Sequence, residues 1–245
     1  RYINEIWGYT TKGIAKSNEE MNAHLSTTDQ STIGSNWAAG DIMYEDTNND
    51  KQINDGARTI TDHGDLKVIG NSTPRFLWGI DFNASWKGFD IRAFFQGVMK
   101  RDAWLGGSWG SLEYYFGATN SGEWWATGIT AVKDYYRDAN TWSVANGYQK
   151  ANQDAFLPRA TFSNKNERCQ TRYLMNAAYM RLKNFQAGYT IPRNITTKWG
   201  ISNMRVFVSI ENLFTITKMP KQFDPEMIGT DSRHSNGYPL SKTFS

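Results

Sequence analysis

Asp46, Asn48 and Asp50 stand at alternate places in an acidic stretch, Asp46-Thr47-Asn48-Asn49-Asp50-Lys51-Gln52-Ile53-Asn54-Asp55-Gly56. Side-chain oxygens at loop positions 1, 3 and 5 converge on one hard cation. Gln52 adds a carbonyl at position 7 and Ile53 an apolar anchor at 8, so the spacing suits a calcium or magnesium ion. Two parts of such a loop are replaced: Lys51 stands where glycine is expected at 6, and Ala57 where a bidentate carboxylate is expected at 12. Asn and Asp also bond their own backbone in turns without metal, so a metal-free Asx turn is the competing expectation.

A second set of residues could bind rather than coordinate. Between Met99 and Asn176 the chain has little periodicity but carries Trp104, Trp109, Trp124 and Trp125. Flat rings stack on sugar C–H faces while neighbouring polar side chains take the hydroxyls. The same rings also suit packing of the loop on itself or against a partner protein. Catalysis has little to stand on. His24, His63 and His234 are scattered, Cys169 is alone, and no carboxylate pair stands out, so no enzyme is expected.

These loops hang on strands. From Arg75 to Lys87, residues Phe76, Trp78, Ile80, Phe82, Ala84 and Trp86 alternate with Asp81, Asn83, Ser85 and Lys87 further along. After Lys87-Gly88 the pattern restarts with Phe89, Ile91, Ala93, Phe95 and Gly97 against Asp90, Arg92 and Gln96, broken by Phe94. Period two with one apolar and one polar face predicts a hairpin of long strands. Such alternation suits a membrane β-barrel and also a soluble sandwich. In the barrel reading Asp81, Asn83 and Arg92 face the lumen and could touch substrate.

Strand character returns over Ala177–Ile191, with Met180 and Leu182 out of phase with Phe185, Ala187 and Tyr189. The change near Lys183-Asn184 predicts a bulge. A further strand is predicted through Met204, Val206, Val208 and Ile210, and a last one begins at Leu240. Ser17 followed by Glu20 predicts a helix start, ending near Leu25, and Ile129–Arg137 reads as a second short helix. The strands are joined alternately by short links and by loops of tens of residues, the asymmetry of outer-membrane barrels, and are too few to close a barrel.

Composition narrows the classes. The 245 residues include 10 Trp, 12 Tyr and 13 Phe, yet the mean hydropathy is -0.62, which favours aromatic girdles or stacking surfaces over a thick aliphatic core. The formal charge of +3 is dispersed, with no basic run beyond Lys100-Arg101, and nucleic-acid binding is not expected.

Five linked segments carry a resemblance: Ile6-Trp7-Gly8-Tyr9-Thr10-Thr11-Lys12-Gly13-Ile14; Gly40-Asp41-Ile42-Met43-Tyr44-Glu45-Asp46 with Thr47-Asn48-Asn49-Asp50; Ile69-Gly70-Asn71-Ser72-Thr73-Pro74-Arg75-Phe76; Tyr179-Met180-Arg181-Leu182-Lys183-Asn184 with Gly188-Tyr189-Thr190-Ile191-Pro192; and Glu211-Asn212-Leu213-Phe214-Thr215 with Asp224-Pro225-Glu226. In sequence, spacing and type the chain resembles the C-terminal third of the SusC/RagA-type TonB-dependent outer-membrane transporters of Bacteroidetes. The resemblance implies an all-β fold, the last antiparallel strands of a 22-stranded transmembrane barrel with long extracellular loops, whose plug and earlier strands lie outside residues 1–245. It implies active import of glycans, or of oligopeptides, across the outer membrane. The implied partners are TonB, acting through the absent N-terminal part, membrane lipid, and a SusD-like surface lipoprotein meeting the loops at the cell surface. Such barrels usually finish in a complete strand with a terminal aromatic residue, so the end at Thr243-Phe244-Ser245 reads as a truncation. The alternative is a secreted or surface carbohydrate-binding β-sandwich.

Overall fold

Short extended runs broken by turn residues become short strands in the first of two units, Arg1–Ser72 with Trp104–Leu174. The computed structural model describes residues 3–104, 130–161, 163–221, 223–228 and 240–245. Strands β1 (Glu5–Gly8), β2 (Thr11–Ile14), β3 (Ile42–Tyr44) and β4 (Lys67–Asn71) pair antiparallel, β1 with β4 and β2 with β3. Helix α1 (Asn18–Leu25) starts as the sequence predicts. The Ser17 hydroxyl accepts the Glu20 N–H at 3.2 Å, and the Glu20 carboxylate reaches back to accept the Lys16 N–H at 2.7 Å, one residue beyond the usual reciprocal bond.

The helix expected over Ile129–Arg137 is not there. Thr130–Lys133 makes a single 3-10 turn, after which Tyr135 and Arg137 form isolated bridges to Leu157 and Asn152. Burial of Tyr136, whose hydroxyl donates to the Lys16 carbonyl at 2.8 Å, outweighs local helix propensity. The unit's core is aromatic: Tyr9 and Tyr44 meet edge to face at 5.3 Å, and Tyr44, Tyr173, Ile42, Ile53 and Leu157 are fully buried.

The second unit, Thr73–Ala103 with Met175–Ser245, holds the long strands. Strand β5 (Arg75–Trp86) and β6 (Phe89–Lys100) form the predicted hairpin. Lys87 and Gly88 both take positive φ, 49° and 88°, the primed-turn geometry that matches strand twist, and a side chain at Gly88 would collide with the Thr190 carbonyl. After the two-residue strands β7 (Asp102–Ala103) and β8 (Met175–Asn176), which pair with each other, come β9 (Tyr179–Thr190), β10 (Arg205–Thr217) and β11 (Thr243–Phe244). The five-stranded sheet has the antiparallel order β11-β10-β9-β6-β5. Among the described residues it is open, and no closed barrel forms.

The predicted bulge is present. Phe94 faces Asn184 while Phe95 faces Leu182, so Lys183 is surplus on β9. Across the next ladder Asn184 faces Glu211 while Leu182 faces Phe214, so β10 carries Asn212 and Leu213 at the same level. Asn212 takes φ 51°, a left-handed conformation that asparagine tolerates better than most residues.

Candidate functional site

Directly paired residues share a face of a sheet, so the register sorts every side chain. One face stacks Trp86, Phe89, Tyr189 and Val206; then Ala84, Ile91, Ala187 and Val208; then Phe82, Ala93, Phe185 and Ile210; then Ile80, Phe95, Leu182 and Phe214. All four rows are apolar, and much of this surface is bare: Ile80 is 57% exposed, Phe82 54%, Val206 56% and Trp86 69%. The other face carries Asn83, Arg92, Gln186 and Ser209 in one row and Asp81, Phe94, Asn184 and Glu211 in the next.

The three strand residues singled out as substrate candidates come together on that polar face. Arg92 grips Asp81 with two N–H groups, at 2.7 and 3.3 Å, and Asn83 donates to the same carboxylate at 3.1 Å. A second bidentate pair, Arg205 with Asp90, spans β10 to β6 across Gly188. A Cβ at Gly188 would lie 2.6 Å from the Arg205 guanidinium and 2.8 Å from the Asp90 carboxylate, so glycine there makes room for the pair. Trp104 is half-buried, and Trp109, Trp124 and Trp125 lie outside the described residues.

A larger cluster had no role assigned from sequence, although its acidic groups, Arg181 and Lys183 lie in the quoted motifs. Arg181, 3% exposed, donates to Asp224 at 2.7 Å, Glu226 at 2.6 Å and the Thr215 hydroxyl at 2.7 Å. Lys183, the bulge residue, reaches both Glu226 oxygens at 2.8 and 3.0 Å. Arg101 holds the same segment by the carbonyls of Pro225 and Ile228. Burial works against the Asp224 carboxylate, but the N–H groups of Glu226 and Leu240 and the Arg181 guanidinium outweigh it and keep its pKa below the usual value. Asp224-Pro225-Glu226 is thereby strapped over the polar face, beside the bulge.

The first unit has its own ionic centre. Asp41 is fully buried and accepts from Arg159 at 2.8 and 2.9 Å, Lys165 at 2.8 Å, Asn166 at 2.9 Å and the Ala38 N–H at 2.9 Å. Desolvation raises its pKa, and these donors more than reverse that, so the carboxylate titrates below its ordinary range. Lys165 also bonds the Ser35 and Asn36 carbonyls and lies over the Trp37 ring at 4.7 Å.

In the acidic loop each side-chain oxygen of Asp46 accepts a backbone N–H, from Asn49 at 2.6 Å and Lys51 at 2.7 Å. The Asp50 N–H donates to Asn48 at 3.0 Å, and the Gln52 N–H to Asp50 at 2.8 Å. Asp65 ties the loop's two ends by accepting from Thr47 and Asn54. These are Asx turns, formed with the oxygens that a cation would use. Among the described residues no group of three His, Cys, Asp or Glu side chains converges as a metal cage. Cys169 is half-buried, and desolvation pushes its thiol up to about 12, which leaves little thiolate for chemistry at neutral pH.

No protein-family model matches the chain. Among curated proteins it is 27% identical over 227 residues to TonB-dependent receptor P3 of Formosa agariphila, an alignment covering 91% of this chain and 18% of that receptor. The chain is related to TonB-dependent receptors. In fold it matches the RagAB peptide transporter with a TM-score of 0.61 at 21% identity, over 99% of this chain and 22% of the matched one. The RagAB peptide importer in its open-open state gives 0.58 at 20% identity, over 97% and 21%. The chain thus spans about a fifth of the length of these relatives. The sequence relationship is to TonB-dependent receptors, which are not enzymes, and the likeness to the RagAB structures is one of fold.

Proposed function

We propose that the chain forms the last strands of a 22-stranded outer-membrane barrel that imports glycans or oligopeptides, energised by TonB through segments outside residues 1–245. The observation that carries this reading is the two-faced sheet. Four consecutive apolar rows on one side, with Ile80, Phe82, Trp86, Phe89, Val206 and Val208 more than half exposed, and paired charges on the other are what a wall between lipid and an aqueous lumen requires. A soluble sandwich would need a second sheet over the apolar face, and large side chains there stay more than half exposed.

In this orientation the Trp86–Phe89 turn is periplasmic, and the long connections form the cell-surface side. A SusD-like lipoprotein covers those loops with an interface above about 2,000 Å² in total. The two RagAB structures, described as a peptide importer and a peptide transporter, support an importer with a partner and leave the cargo of this protein open between glycan and peptide. The test is to purify the tagged full-length protein from outer membranes in mild detergent. Recovery from the membrane fraction with a lipoprotein bound is expected. A soluble monomer needing no detergent would overturn the reading.

A further inference from the structure

The turn end of the sheet carries cations without anions. Two connections lie side by side there. One is the Lys87-Gly88 turn, whose Gly88 carbonyl accepts the Thr190 N–H at 2.8 Å; the other is residues 192–203, closed by the Ile191 N–H on the Met204 carbonyl at 2.9 Å. They hold Lys87, Arg193 and Lys198, all exposed, and no Asp or Glu. Asp90, just past the first turn, is already gripped by Arg205. None of the three cations makes an ion pair among the described residues. Lys87 also sits where a primed turn favours asparagine or glycine, at φ 49°, so a charge is kept there against the local backbone preference.

The same end is greasy. Trp199 is 60% exposed and Ile195 41%, both within the second connection. Trp86, Phe89 and Tyr189 form the last full row of the apolar face, with the Phe89 and Tyr189 rings 4.4 Å apart. The Lys87 ammonium lies 4.8 Å from the Trp86 ring centroid, which sets its charge beside that face rather than the polar one. Water alone would leave Trp199 and Ile195 bare, and an apolar partner alone would leave the cations without anions. A bilayer interface satisfies both, since aromatic rings rest at headgroup level and basic side chains beyond them meet phosphate. A zwitterionic headgroup brings its own cation, so an uncompensated cationic set favours lipid of net negative charge. We propose that this end of the sheet docks anionic phospholipid of the periplasmic leaflet, with Lys87, Arg193 and Lys198 taking the phosphates and Trp86, Ile195 and Trp199 lying at the acyl boundary. The inference rests on the barrel reading and adds to it a lipid class and the residues that select it.

The test inserts the full-length protein into vesicles of phosphatidylcholine alone or mixed with phosphatidylglycerol, and follows hydrogen exchange at the Lys87-Gly88 turn and over residues 192–203. Each cation near an anionic surface strengthens association about fivefold, so phosphatidylglycerol should slow exchange there severalfold, and high salt should reverse the effect. A variant combining Lys87→Asn, Arg193→Gln and Lys198→Gln separates binding from folding. Asparagine suits the left-handed turn, so in phosphatidylcholine this variant should exchange like the wild type, while protection by phosphatidylglycerol disappears. Lys12→Gln, in the first unit, should keep that protection. Equal exchange in the two kinds of vesicle, protection that survives in the triple variant, or the same protection from inorganic phosphate added to phosphatidylcholine vesicles would each overturn the proposal. Protein that floats with neither vesicle would overturn the barrel reading and this inference with it, a failure distinct from insertion without lipid preference.

Discussion

The two units put charge and grease in opposite places. In the sheet unit the large apolar side chains Ile80, Phe82, Val206 and Val208 are outside, and the ion pairs of Arg92, Arg205 and Arg181 share the other face. In the loop unit Asp41, Lys165, Glu167 and Gln170 are inside. The difference follows from how each unit satisfies its backbone. A sheet bonds its own N–H and C=O groups, so its side chains are free to match whatever surrounds it. Irregular chain leaves carbonyls over, and buried ones need donors. Long cations supply them here: Lys165 to Ser35 and Asn36, and Arg172 to Ala155. Charge holds irregular chain in the loop unit, whereas in the sheet unit it lines one face and does the same work only at the Asp224–Glu226 strap held by Arg101 and Arg181.

Removing the hub of the loop unit is the strongest way to break that contrast. Asp41→Ala leaves buried Lys165 and half-buried Arg159 without their anion and should cost the unit about 3–5 kcal/mol. Hydrogen exchange should rise across residues 34–42 and 159–170 while β5, β6, β9 and β10 stay protected. Acid reaches the same bond. The folded pKa of Asp41 lies below its ordinary 3.8, so its contribution is complete above that value and disappears as pH falls from 3.8 through the lowered pKa. Exchange in these segments should be flat between pH 7 and 5 and accelerate only in strong acid.

On the sheet, Ile80→Arg should cost about 2–4 kcal/mol if that face meets the bilayer midplane, measured as loss of folded protein on insertion into lipid vesicles. Arg92→Ile on the opposite face should insert normally. Wild-type insertion of the first variant would erase the distinction between the faces. A smaller effect is expected in the acidic loop. Asp46→Ala removes the acceptor for two backbone N–H groups, and about 1–2 kcal/mol of local stability should go with it, read as faster exchange over residues 46–52. Chelator alone should leave that segment unchanged if its own Asx turns hold it. The smallest effect belongs to Asp81→Asn: its pair with Arg92 is largely exposed and screened by water, so thermal unfolding should hardly shift.

The sheet was legible because period two is written locally. The apolar residues of Arg75–Trp86 and Phe89–Gly97 predicted the faces and the hairpin, and the phase slip at Lys183-Asn184 marked the bulge. Ser17 and Glu20 marked the start of α1 for the same reason. The ionic clusters were not legible. Asp41 and Arg159 are 118 residues apart, and Arg181 and Asp224 are 43 apart, with nothing in the intervening chain to say which cation meets which anion. Asp224-Pro225-Glu226 and Arg181-Leu182-Lys183 did offer a signal: two anions and two cations, each pair at alternate positions, spaced to meet face to face. The helix expected over Ile129–Arg137 failed because the burial of Tyr136 was settled by distant chain.

The surplus residues at the bulge accumulate across the sheet. Between the same two rows β6 spends none, β9 one and β10 two. In the language of crystals this is a dislocation, a line at which extra material is inserted on one side only. Each extended residue adds up to about 3.4 Å of contour, so β10 has about 7 Å more chain to place than β6 over the same rise. A ribbon lengthened along one margin cannot stay flat; it flares or cones. The surplus sits at the level where Lys183 fastens Glu226, so deleting Lys183 would remove one tie of the strap and at the same time widen the mismatch between β9 and β10 from one residue to two.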